Sequence, residues 1–149
     1  MRYALFLSVA LCLTACAEKN TPPAEYGLTD LRGEWLLVNY WAQWCNPCIQ
    51  EIPELNAFDK RHSDVSVVGV NFDGASGEEL REQERRLGVA FPTLQTDPAA
   101  QLGVRRPAVL PTTLLVTPEG EVAATLVGPQ TEESLQTALA TARGETREP

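Results

Sequence analysis

The chain has 149 residues, 44% hydrophobic and 21% charged, which suits one ordinary globular domain with enough length for a real core. Its 12 basic residues face 20 acidic ones, a formal net charge of −8. That balance excludes the basic class of nucleic-acid binders and weakly favours a positively charged patch on a protein partner.

Residues 1–15 stand apart from the fold. Arg2 supplies a short positive start, and residues 4–13 form an apolar run shorter than the ~20 residues needed to span a bilayer. This is the pattern of a signal-peptide core. It ends in Leu13-Thr14-Ala15-Cys16, which resembles the lipobox of bacterial lipoproteins. The resemblance implies cleavage before Cys16, acylation of that cysteine and a lipid anchor. The alternative is an ordinary signal peptide with a cysteine at its cleavage site. Ala17, where an Asp would signal retention, implies the outer rather than the inner membrane, on the periplasm-facing side. Loss of residues 1–15 removes Arg2 and leaves the mature chain more acidic still. Residues 16–27 are polar, contain Pro22-Pro23 and read as a tether. The folded domain is then 28–143, with 144–149 a frayed tail after Gly144.

Residues 28–33 suggest a turn leading into Trp35–Trp41, a near-continuous apolar run that suits a strand buried on both faces. Residues 46–62 read as a helix with Ile49, Ile52, Leu55 and Phe58 at every third position, kinked at Pro53. Pro47 falls in the first turn, where its missing N–H costs nothing. Residues 65–72 form a second buried strand, so strand, helix and strand make a parallel βαβ unit. Residues 77–87 form a charged helix with Leu80 and Leu87 on its inner stripe. Residues 91–94 are extended and 98–102 a helical turn. Residues 112–116 and 122–127 are strands joined by a hairpin turn at Pro118-Glu119-Gly120. Thr131 with Ser134 gives a weak cap to a last helix that turns Leu135 and Leu139 inward.

The decisive segment is Trp44-Cys45-Asn46-Pro47-Cys48. Two thiols three residues apart at a helix start can close into a small disulfide ring. The helix N-terminus lowers the pKa of the first thiol and makes thiolate available. One cysteine can then attack a partner disulfide and the other resolve the mixed disulfide. The same spacing also serves as half a zinc site. Zinc needs three or four ligands. Of the four cysteines, Cys12 leaves with the signal and Cys16 would carry lipid, so Cys45 and Cys48 remain with one imidazole, His62. Along a helix, His62 lies roughly 20 Å from Cys48, which excludes a mononuclear site unless a second chain contributes and argues against a copper chaperone. An isolated pair in a disulfide-permitting compartment should oxidise with itself.

The segment from Val38 through Cys48, followed by Glu51-Ile52-Pro53-Glu54, resembles the thioredoxin-fold, membrane-tethered thiol-disulfide oxidoreductases of the TlpA/ResA type. Val109-Leu110-Pro111-Thr112-Thr113 is similar to that family's proline loop, and residues 68–73 to its second strand. The resemblance covers roughly residues 28–142. It implies an α/β thioredoxin fold, a central mixed sheet flanked by helices, with an N-terminal hairpin and an inserted helix–strand element at 77–94. It also implies a cis peptide bond before Pro111, where sequence alone favours trans. A cis bond there exposes the backbone edge at Leu110 for pairing with a substrate strand.

Within this frame Cys45 is the more exposed nucleophile and Cys48 the buried resolving thiol. No cofactor beyond a redox-active Cys45–Cys48 disulfide is expected. Asn46-Pro47 places no positive charge between the thiols, so the disulfide should be comparatively stable and the protein a reductant. Trp44, Asn46, Pro47, Leu110 and Pro111 are the expected substrate contacts, and Trp41 is core. Asn39 stands where many thioredoxins carry a buried Asp. Asp73 is the candidate proton-transfer substitute, equally readable as a solvated turn residue. Glu51 is a family signature, more simply read as a first-turn helix acid favoured by the dipole. Arg105-Arg106-Pro107 lengthens the loop before Pro111 relative to the simplest family pattern; it reads as an exposed loop, with a substrate rim as the alternative.

The expected activity is an extracytoplasmic reductase of protein disulfides, acting as a monomer on protein thiols and recharged by a membrane thiol donor of the DsbD/CcdA type. The alternatives are a disulfide donor or isomerase, and a tethered binding module with a structural disulfide. A peroxidase is disfavoured, since no cysteine outside the C-x-x-C offers a peroxidatic setting.

Overall fold

A computed structural model describes residues 27–31 and 33–145. The segment read as a signal peptide, Cys16, most of the expected tether and the tail after residue 145 lie outside the described residues.

The apolar run in the middle of the chain's pattern becomes the middle of the sheet. β1 (Trp35–Trp41) pairs in parallel with β2 (Val65–Asn71) and antiparallel with β3 (Thr112–Val116). β3 pairs antiparallel with β4 (Val122–Val127), giving the order β2-β1-β3-β4. Successive side chains alternate between faces, so one strand feeds two cores. Leu37 meets Leu55 and Phe58 of α1 (Asn46–Arg61) and Leu135 of α3 (Glu132–Ala142) on one face. Val38 and Tyr40 meet Val68, Leu94 and Leu114 on the other. Each fully buried Leu or Phe contributes about 1.5–3 kcal/mol. A third cluster of Trp41, Ala42, Cys45, Cys48 and Leu80 surrounds the dithiol; Leu80 comes from α2 (Gly77–Leu87).

The helices start and stop where local chemistry directs. α1 continues through Pro53, which removes one helix hydrogen bond without ending the element. Gly88, at φ 72°, closes α2 in the left-handed conformation that glycine adopts freely. Thr131 and Ser134 form a reciprocal capping box at the start of α3, a fuller cap than the sequence suggested.

Two expected elements differ. No strand precedes β1 among the described residues; in place of an N-terminal hairpin stands a 3-10 turn, Leu28–Leu31. Gly33 (φ 94°) then swings the chain into β1, its N–H held by the Pro118 carbonyl. The inserted helix–strand element keeps its helix, but its strand shrinks to one parallel bridge, Gly69 with Thr93. Pro92 has no N–H to continue a ladder and only accepts from Gly69, which confines this piece to the sheet's edge.

Candidate active site

β1 ends at Trp41, and a four-residue connection delivers Cys45 to the N-cap of α1. Cys45 has extended backbone there, and its Sγ accepts a hydrogen bond from the Cys48 N–H at 3.3 Å. The sulfur therefore sits at the positive end of the helix and on an otherwise orphaned backbone donor, the setting that favours a thiolate. Cys45 and Cys48 form a disulfide with Cα atoms 5.3 Å apart. The exposure difference is smaller than expected: Cys45 is 4% exposed and Cys48 fully buried. Position on the helix, more than accessibility, separates the two thiols.

The rim of the dithiol comes from the β1–α1 connection with the first turn of α1 and from the loop before β3. Asn46 and Pro47 are exposed beside it, and Trp44 is 60% exposed. The Leu110–Pro111 peptide bond is cis, Pro111 is buried, and half-buried Leu110 packs on the dithiol cluster. Val109, 57% exposed, adds an apolar side chain to the same loop that sequence reasoning did not single out. Trp41 is fully buried, as expected of core.

Asp73 takes the second of its two sequence readings, a solvated turn residue, whereas Glu51 is not the first-turn helix acid expected of it. Asp73 is exposed, and its carboxylate accepts the Trp44 indole N–H at 2.9 Å. It is a surface partner of Trp44, not a buried acid. Glu51 is only 1% exposed and lies in the second turn of α1, on the inward face that also carries Cys48. Its carboxylate accepts from the Asn39 side-chain amide at 2.7 Å and from the Gln130 backbone N–H at 2.8 Å. Burial raises its pKa to about 7, against the opposing pull of the Gln130 N–H and the Asn39 amide. Asn39 also donates to Thr113 at 2.9 Å, tying β1, β3 and α1 together beneath the site. Asn39, Thr113 and Gln130 were not read as a unit from the sequence. The signal for them was the Asn at the usual Asp position, which leaves room for an acid from elsewhere.

Arg106 is engaged and not a free loop residue. Its guanidinium lies 4.0 Å over the Phe72 ring, pairs with Asp97 at 2.7 Å and donates to the Phe72 carbonyl. Asp97 in turn accepts from the Tyr40 hydroxyl at 2.7 Å and the Ala99 N–H at 3.0 Å. Burial opposes ionisation of Asp97, but the Ala99 N–H, the Tyr40 hydroxyl and Arg106 outweigh it and hold its pKa below the usual range. Arg105 is exposed.

Residues 12–125 match the AhpC/TSA family. The chain is 31% identical over 116 residues to the thiol-disulfide oxidoreductase ResA of Geobacillus kaustophilus, covering 75% of this chain and 65% of that one. It is 33% identical over 119 residues to ResA of Bacillus subtilis, covering 78% and 66%. The chain thus spans about two thirds of the length of these curated relatives. Among solved structures, a DsbF homologue from Corynebacterium diphtheriae superposes with a TM-score of 0.64 at 25% identity, covering 76% of this chain and 75% of that one.

Proposed function

The chain belongs to the AhpC/TSA family, and from that premise we propose that it is an extracytoplasmic thiol-disulfide oxidoreductase that reduces protein disulfides. The observation that carries this reading is the Cys45 sulfur at the helix N-cap, accepting the Cys48 N–H and within bonding reach of Cys48. Relatives named thiol-disulfide oxidoreductases support it.

In the reduced protein, the Cys45 thiolate attacks one sulfur of a substrate disulfide and expels the other as a thiolate. Cys48 then loses its proton and attacks Cys45 Sγ. That forms the Cys45–Cys48 disulfide and releases the second substrate thiolate, two electrons having passed to the substrate. Trp44, Asn46, Pro47, Leu110 and Pro111 contact the substrate, its strand pairing at the Leu110 edge. Glu51, one turn along α1 from Cys48, is the proton-transfer group in place of Asp73. A carboxyl group titrating near neutrality can both take and return a proton at working pH.

The signal-like start and Cys16 support a lipid-anchored, periplasm-facing placement, at the outer membrane, with a membrane thiol donor of the DsbD/CcdA type restoring the dithiol. The absence of a cation between Cys45 and Cys48 supports the reducing direction. A redox titration tests it: the account expects a midpoint more negative than about −200 mV. A midpoint near that of DsbA, about −120 mV, would make the protein a disulfide donor instead.

A further inference from the structure

We infer that Arg106 is a positioning residue that locks the two rims of the dithiol, Trp44 and the proline loop, into one substrate-facing surface. This rests on the oxidoreductase reading for its consequence, but not for its geometry. Trp44 is largely exposed and makes two directional contacts, both to consecutive residues of the turn after β2. Its indole N–H donates to Asp73, and its ring forms a T-shaped pair with Phe72, centroids 6.4 Å apart at 87°. Arg106 clamps that same turn, over the Phe72 ring and on the Phe72 carbonyl. The Phe72 N–H is already held by the Trp41 carbonyl, so both backbone groups of Phe72 are engaged.

Arg106 belongs to the segment that ends at the cis Leu110–Pro111 bond, and Leu110 packs against the dithiol cluster. It therefore joins the loop carrying Leu110 to the turn holding Trp44. Asp97 aims the guanidinium and is itself fixed by Tyr40, rooted in the core beside Val38. The planar fork lets one side chain stack on Phe72, pair with Asp97 and reach the carbonyl together; a lysine ammonium cannot make all three contacts. Extended contact matters to a protein disulfide and little to a small one, so the clamp is a device for protein substrates.

The test uses the full-length protein and its Arg106→Ala, Arg106→Lys and Asp97→Asn variants. Proton–nitrogen NMR follows the indole N–H of Trp44, assigned by its loss in Trp44→Phe, beside those of Trp35 and Trp41. Stopped flow compares the second-order rate of the pre-reduced protein with insulin and with hydroxyethyl disulfide. In Arg106→Ala, solvent exchange of the Trp44 indole proton should rise while Trp41 stays protected. The insulin-to-hydroxyethyl-disulfide rate ratio should fall about fivefold, the scale of one exposed cation–π contact with its ion pair. Arg106→Lys should recover part of both effects, and Asp97→Asn should move both in the same direction even if Arg106→Ala does not fold. An unchanged Trp44 signal, equal loosening of all three indoles, or an unchanged rate ratio would overturn the inference. Wild-type protein that reduces neither substrate would instead refute the oxidoreductase reading, and the indole signals would still decide the clamp.

Discussion

Asn39 of the central strand donates a hydrogen bond to the buried carboxylate of Glu51, 2.7 Å away on the helix that Cys45 caps and Cys48 belongs to. The pair places an acid beneath the dithiol from the helix, at a point where the strand itself contributes only an amide. Burial holds the Glu51 pKa near 7, and this single displacement from the ordinary carboxylate range has consequences for stability and for exchange.

The stability consequence follows from linkage. The folded-state pKa of Glu51 is raised from 4.5 to about 7, so folding favours its protonated form. The associated stability is fully present below the unfolded pKa and is lost as pH rises through about 7. Thermal melts of the oxidised protein, in which neither Cys45 nor Cys48 titrates, should therefore fall by several degrees between pH 5 and pH 8. Glu51→Gln should flatten that slope. A Glu51→Gln protein with the wild-type slope would show that another group carries it.

For exchange, the resolving step should slow in Glu51→Gln by about a hundredfold at neutral pH, the lower end for loss of a positioned proton-transfer group. Asp73→Asn should leave the pH profile of that step unchanged, because Asp73 sits on the surface with Trp44. Single-turnover kinetics across pH distinguishes them, and a profile that moved with Asp73 alone would restore the sequence-based assignment.

Gly69 is required by space. A Cβ at this position would lie 2.7 Å from Trp41 Nε1, 3.0 Å from Thr93 Oγ1 and 3.2 Å from the Phe91 ring. Trp41 is fully buried between the sheet and the dithiol, so it has little room to retreat. Gly69→Ala should destabilise the fold by about 1–3 kcal/mol through overpacking. Chemical denaturation measures this, and wild-type stability would mean that the indole shifts freely.

The capping box of α3 gives a smaller and more local effect. Thr131 accepts from the Ser134 N–H at 3.2 Å, and Ser134 accepts from the Thr131 N–H at 2.9 Å. Thr131→Ala should cost about 1 kcal/mol, while Thr131→Asp should retain most of the stability. Equal losses in the two variants would place the effect in packing rather than in the cap.

The strands and helices were largely legible because each carries its own periodicity. Trp35–Trp41, Gly77–Leu87, Thr112–Val116 and Val122–Val127 lie where the apolar patterns put them. The N-terminal hairpin came from family likeness, and here residues 28–31 close into a 3-10 turn instead. Pro92 reduced the inserted strand to a single bridge. At the site, the C-x-x-C and the proline loop were readable because their residues are contiguous. The acid network was not: Glu51 looks like any helix acid until Asn39 and Gln130, the latter 79 residues away, are brought onto its two oxygens. Arg106 likewise acquires meaning only when Phe72, 34 residues earlier in the chain, lies under its guanidinium.

The division of labour between the two sulfurs is tested most directly by trapping. Cys48→Ser, incubated with a protein disulfide, should accumulate a mixed disulfide on Cys45, identified by mass spectrometry of the linked peptides. Cys45→Ser should accumulate none. Equal trapping by both variants, or adducts only on Cys48, would contradict the assignment of Cys45 as the attacking thiolate at the start of α1.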